Sequence, residues 1–123
     1  MLKDYFIDAD AEKSLNWLSK TIHAYNCEAG WYDKPREFGT LLMLIVSELA
    51  ETLEGDRKNL MDSHLQHRKA AEVELADALI RIFDLCGHEG YDIGGALVEK
   101  FEYNKNRADH KKENRDKEGG KKY

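Results

Sequence analysis

The chain is short of several residue patterns at once, and each shortage removes a class of protein. It carries one proline, Pro35, and two cysteines, Cys27 and Cys86, which form no CxxC spacing. That excludes a disulfide framework and points to a reducing, cytoplasmic location. The longest apolar run, Leu41–Val46, falls far below the roughly 20 residues that a membrane-spanning helix requires. The opening residues, MLKDYFIDADAEK, lack the apolar stretch and cleavage site of a signal peptide. An excess of positive charge is missing as well. The net charge of -5 argues against nucleic acid as the main partner, because phosphate backbones recruit strongly basic surfaces. An acidic protein that handles an anionic nucleotide needs a bridging cation.

What the chain has in quantity is helical periodicity. Its 123 residues suit one domain with a real core. Long periodic segments, rich in good helix formers and separated by short breaks, predict an all-α protein. Asp8 or Asp10 can cap a first helix that runs to about Glu28, with Gly30 just beyond it and Leu15, Leu18, Ile22 and Tyr25 along its apolar stripe. Trp31–Arg36, WYDKPR, reads as a loop because Pro35 disfavours helix at Lys34. Its adjacent aromatics can serve as hydrophobic plugs or stack on a flat base.

A second helix is expected from about Arg36 to Glu54, ending at Gly55, with Leu41, Leu42, Ile45, Val46, Leu49 and Leu53 as its core face. Glu48 and Glu51 sit at the margin of that face, while Ser47 and Glu54 point to solvent. Residues 56–69 are polar and read as a loop with a helical end. Their HLQH segment offers His64 and His67 but no third ligand, so surface histidines are the favoured reading.

The organising stretch is the third helix, Glu72 to His88, EVELADALIRIFDLCGH. Glu74, Asp77, Arg81, Asp84 and His88 share one narrow stripe, and apolar residues fill the rest of the circumference. An ordinary surface helix has the opposite proportions. Most of this helix should therefore be buried, with its charged stripe facing a cleft. Asp92 caps a fourth helix through about Arg107, with Ile93, Leu97, Val98 and Phe101 on its buried side. Lys100, Tyr103, Asn104 and Arg107 make one polar, basic face, which alone would read as a solvated surface. Residues 108–123 have almost no aliphatic content and are expected to form a charged tail, disordered or ordered only against another subunit, behind a helical domain of residues 1–107.

The chemistry is expected at two acid pairs, Glu48-x-x-Glu51 and Glu74-x-x-Asp77, with 22 residues between Glu51 and Glu74. Residues three apart on a helix lie side by side, so antiparallel packing of the two helices brings four carboxylates together. Their mutual repulsion calls for a hard cation, and all-oxygen ligands favour Mg²⁺ or Mn²⁺ over zinc. A di-iron bundle needs Glu-x-x-His pairs, and no glutamate here has a histidine three residues later.

ExxE, a spacer and ExxD resemble the MazG-like family of all-α nucleoside triphosphate pyrophosphohydrolases. SELAETLEGDRK (47–58), ELADALIRIFDL (74–85), GYDIGGALVEKFEYNKNR (90–107) and GWYD (30–33) resemble its compact single-domain branch, related to the dCTP pyrophosphatases. The resemblance covers about His23 to His110. It implies a four-to-five-helix bundle of this family's type. Four helices with so much apolar circumference need more cover than one small protomer offers, which predicts a homodimer or homotetramer whose helices pack across an oligomer interface. The resemblance also implies Mg²⁺ on Glu48, Glu51, Glu74 and Asp77, phosphate contacts from Lys100, Asn104, Arg81 and Arg107, and a base pocket at Trp31, His23 and Tyr32. Many members have two adjacent glutamates where this chain has Ser47 before Glu48, and a proline where it has Ala108; the serine signals subtype more than activity.

The implied reaction is metal-assisted attack of water on a phosphorus, converting a (d)NTP, with a lean toward dNTPs such as dCTP, to the monophosphate and pyrophosphate. Catalysis would rest on the Glu48 and Glu51 pair, with Glu51 accepting the water's proton and Lys100 and Arg81 stabilising the departing pyrophosphate. Nucleotide-pool house-cleaning is the matching role. Two alternatives stand beside it: a non-catalytic helical regulatory protein, and a hydrolase of a nucleotide alarmone.

Overall fold

The computed structural model describes residues 1–123, the side chain of Ala108 excepted. It is all-helical apart from one isolated β-bridge between Met61 and Lys69. A 3-10 turn at Leu2–Asp4 precedes α1 (Ala9–Glu28), α2 (Phe38–Arg57), α3 (Ala70–Glu89) and α4 (Ile93–Lys105). A second 3-10 turn at Ala108–His110 and the short α5 (Lys112–Arg115) follow, so helical turns occupy part of the charged C-terminal stretch. No described helix is long and apolar enough to cross a membrane.

Local chemistry sets the ends. Asp8 Oδ1 accepts from the Ala11 N–H at 2.8 Å, capping α1. α2 begins two residues later than the sequence suggested, after Pro35, and runs past Gly55, which tolerates a helical interior and packs close to Ala70. α3 stops at Gly90, whose φ of 72° is the left-handed conformation that glycine adopts at least cost. The Asp92 side chain caps α4 by accepting from the Gly95 N–H at 2.9 Å.

The chain divides into two compact units, Met1–Asn16 with Asp92–Tyr123, and Trp17–Tyr91. In the first, Asn16 clamps the start of α4. Its Nδ2 donates to Asp92 at 2.8 Å, and its Oδ1 accepts from the Gly94 N–H at 2.9 Å. The second is built on α2 against α3. Gly55 approaches Ala70, Glu48 meets Arg81, and Leu41 and Ile45 cluster with Leu85, so the two helices run antiparallel.

The core is smaller than the sequence pattern promised. On α2, Leu41 and Ile45 are buried, whereas Leu42, Val46, Leu49 and Leu53 are exposed. On α3, Ala78, Phe83, Leu85 and Cys86 are buried, but Leu75, Leu79 and Ile80 are not. α3 is therefore buried on part of its circumference rather than most of it. An α2–α3 pair can cover each helix only on the side facing its neighbour. Tyr25, Leu97 and Phe101 likewise stay exposed.

Candidate metal centre and pocket

Antiparallel packing sets Glu48 of α2 against Glu74 and Asp77 of α3. Oxygens of these three carboxylates lie within 4.8 Å of one another. Glu51, the fourth expected ligand, stands outside that set. It is exposed, yet near enough to act electrostatically on both Glu48 and Glu74. Burial, and then hydrogen bonds and negative charge from Glu48 and Glu51, push the Glu74 carboxyl up to about 7. Burial and the Glu48 charge raise Asp77 as well. Burial also acts to raise Glu48, but hydrogen bonds from Arg81, Glu74 and Glu51 outweigh it and hold Glu48 low. Arg81 Nε donates to Glu48 Oε1 at 2.8 Å. Crowded acids that share protons form the all-oxygen donor set that a hard divalent cation relieves, so the residues fit Mg²⁺ or Mn²⁺. His64 and His67 join no metal-competent group among the described residues.

A cavity of about 360 Å³ opens from this cluster. Glu48, Asp77 and Arg81 form one part of its wall, and Leu44 and Ile80 supply apolar surface. Asn26, Trp31, Arg36 and Asp84 complete it. A cleft of this size, with convergent polar groups set beside apolar surface, suits a small-molecule ligand. Trp31 is 62% exposed, and the Arg36 guanidinium lies 5.8 Å from its ring centre and 5.4 Å from that of Tyr32.

Behind that wall sits a polar and aromatic cluster that depends on close helix approach. A Cβ on Gly87 would come within 2.5 Å of His23 Cβ and 2.8 Å of Ser19 O, so only glycine lets α3 come this near α1. Ser19 Oγ donates to the Phe83 carbonyl at 2.7 Å across the same seam. His23 Nδ1 is thereby placed 2.9 Å from Asp84 Oδ1, and the Tyr32 hydroxyl donates to Asp84 Oδ2 at 2.7 Å. Burial and the bond to Asp84 drive the Tyr32 phenol far above its ordinary range, so it remains a neutral donor. His88 stacks on Tyr32 at 4.6 Å, and Cys27 Sγ lies 3.4 Å from His23 Nε2.

Of the residues expected at a base pocket, Trp31 lines the cavity, while His23 and Tyr32 hold Asp84 from behind it. Asn26 and Arg36 were not anticipated as pocket residues, and Asp84 was expected only as part of the cleft-facing stripe, with no role of its own. Asp84 was legible as the next position of the α3 stripe, but Asn26 and Arg36 carry no signal until the loop between α1 and α2 folds. Lys100, Asn104 and Arg107 belong to the other unit. The Lys100 ammonium lies 4.8 Å from the Tyr103 ring centre. Asn104 Oδ1 is buried without a hydrogen-bond partner among the described residues. α4 ends at Lys105, so Arg107 leaves the expected helical face and pairs with Asp109 through bonds of 3.0 and 2.6 Å. Comparison of the chain with protein-family models, characterised proteins and solved structures returned no match.

Proposed function

We propose that this chain is a Mg²⁺-dependent nucleoside triphosphate pyrophosphohydrolase that cleaves (d)NTPs, with a lean toward dNTPs such as dCTP, to a monophosphate and pyrophosphate. The observation that carries the reading is the joining of two unlike features in one cavity. Glu48, Asp77 and Arg81 stand at one part of its wall, with Glu74 completing the carboxylate set beside them, and Trp31 with Arg36 at another. A nucleotide needs both, a cation site for its phosphates and a flat surface for its base.

Each side chain has a task in this reading. Bound to the acid set, Mg²⁺ supplies charge neutralisation at the phosphates and acidifies water. Glu51 is exposed and outside the three-carboxylate set, which leaves it available to accept the attacking water's proton. Arg81 lines the cavity and offers its guanidinium to the departing pyrophosphate, at the expense of its bond to Glu48. The exposed leucines of α2 and α3 support a further part of the reading, a homodimer or homotetramer in which a second copy covers them.

The deciding experiment measures pyrophosphate release from the common NTPs and dNTPs with Mg²⁺ and with EDTA. Metal-dependent release from one or a few of them is expected. No release from any, by folded protein that binds Mg²⁺, would overturn the assignment.

A further inference from the structure

Asp84 is a buried carboxylate that the acid cluster leaves unused. It is 6% exposed, yet it lines the cavity together with Asn26, Trp31 and Arg36. Two donors reach it, the Tyr32 hydroxyl at 2.7 Å on Oδ2 and His23 Nδ1 at 2.9 Å on Oδ1. A carboxylate offers about four lone-pair sites, so both oxygens keep acceptor capacity. A buried acceptor with spare lone pairs on a cavity wall is costly until a donor meets it. Its position is also specific. Asp77, Arg81 and Asp84 follow one another along α3, and the helical rise puts Asp84 about 10 Å beyond Asp77. That is the reach from a metal-bound phosphate across a ribose to its base.

We propose that Asp84 is the specificity-determining residue of the pocket, accepting a hydrogen bond from the exocyclic amino group of the base. It would select nucleotides of cytosine, guanine or adenine over those of uracil and thymine. The ring N–H of uracil and thymine is flanked by two carbonyls, whose lone pairs face those of the carboxylate and repel them. Tyr32 and His23 act as positioning residues by locking the carboxylate against rotation. The inference rests on the reading that this cavity holds a nucleotide, and deepens it by naming the base class.

The test measures two quantities on wild type and Asp84→Asn. One is equilibrium binding of dCMP, dGMP, dAMP, dUMP and dTMP, and the other is Mg²⁺-dependent pyrophosphate release from the matching triphosphates. The amide keeps the shape of the carboxylate but replaces one acceptor with a donor. Wild type is expected to favour amino-bearing bases, and Asp84→Asn to lower the dCMP-to-dUMP affinity ratio by about tenfold or more. Retention of that ratio in a folded Asp84→Asn would overturn the inference. Release from all triphosphates alike would overturn it too, and leave the pyrophosphohydrolase reading standing. Amino-selective binding that Asp84→Asn removes, with no release from any triphosphate, would overturn the activity and uphold the inference. Absence of any nucleotide binding would overturn both. Should Asp84→Asn fail to fold, the wild-type panel decides alone, and equal binding of dCMP and dUMP rejects the inference.

Discussion

The α2–α3 pair has two faces of opposite construction. On the cavity side, carboxylates are buried: Glu48 is 7% exposed and Asp84 no more. On the outward side, leucines face solvent, with Leu53 at 58% and Leu79 at 53%. A soluble helix pair normally does the reverse, burying apolar surface for its transfer energy and keeping charge in water. Each inversion calls for its own compensation. Buried acids need donors or a cation, and they have Arg81, Tyr32 and His23, with a cation-competent cluster at Glu48, Glu74 and Asp77. Exposed leucines need an apolar cover. In the proposed reading the first inversion is met by a nucleotide with its cation and the second by another copy of the chain.

The sharpest way to break this contrast is to alter one residue on each face. Asp77→Asn removes a charged oxygen from the acid set and should lower Mg²⁺-dependent pyrophosphate release by about a hundredfold or more. Release within a factor of a few of wild type would show that the set is not where the reaction happens. On the outward face, Leu79→Glu should leave the site residues untouched but lower the mass seen by light scattering from that of an oligomer toward the 14.2 kDa of one chain. A wild-type protein that is already monomeric at micromolar concentration would contradict the covering copy. Neighbouring leucines give the same contrast in stability. Leu41, 5% exposed, should cost about 2–5 kcal/mol as Leu41→Ala. Leu42, 44% exposed, should cost much less as Leu42→Ala in dilute protein, with a penalty that grows with concentration as the face becomes covered. Equal costs at every concentration would remove the distinction.

The smallest effect expected is a pH dependence that belongs to the cavity side alone. Glu74 is raised from 4.5 to about 7, so between those values the folded metal-free chain holds a proton that the unfolded chain has lost. Stability then falls as pH rises through that window, and the contribution is complete below it and gone above it. Glu48 is lowered, so its contribution is present above 4.5 and disappears only as pH falls through its folded value, outside the Glu74 window. Because Mg²⁺ competes with the Glu74 proton, the rise in melting temperature on adding Mg²⁺ should be larger above about pH 7 than near pH 5. A metal-induced shift independent of pH, or one unchanged by Glu74→Gln, would contradict this account.

Much of this was legible in the chain because it depends on local spacing. Helical period, Asp8 and Asp92 as caps, and Gly90 as a stop are settled within a few residues, and α1, α3 and α4 follow from them. The carboxylate cluster was legible too, since acids three apart share a helix face and a helix–loop–helix permits antiparallel return. Tertiary packing alone decided which expected core residues are covered. Periodicity says which residues share a face, not whether anything lies opposite, and so Leu42, Val46, Leu49 and Leu53 read as core but stand exposed. It alone decided that Arg107 pairs with Asp109 beyond the end of α4. The cavity wall was likewise beyond local reading. Asp84 was legible on the α3 stripe, but Asn26 and Arg36 lie on other segments, and they meet it because the α1–α3 approach at Gly87 and the loop after α1 carry them to one wall, a long-range geometry that no local spacing encodes.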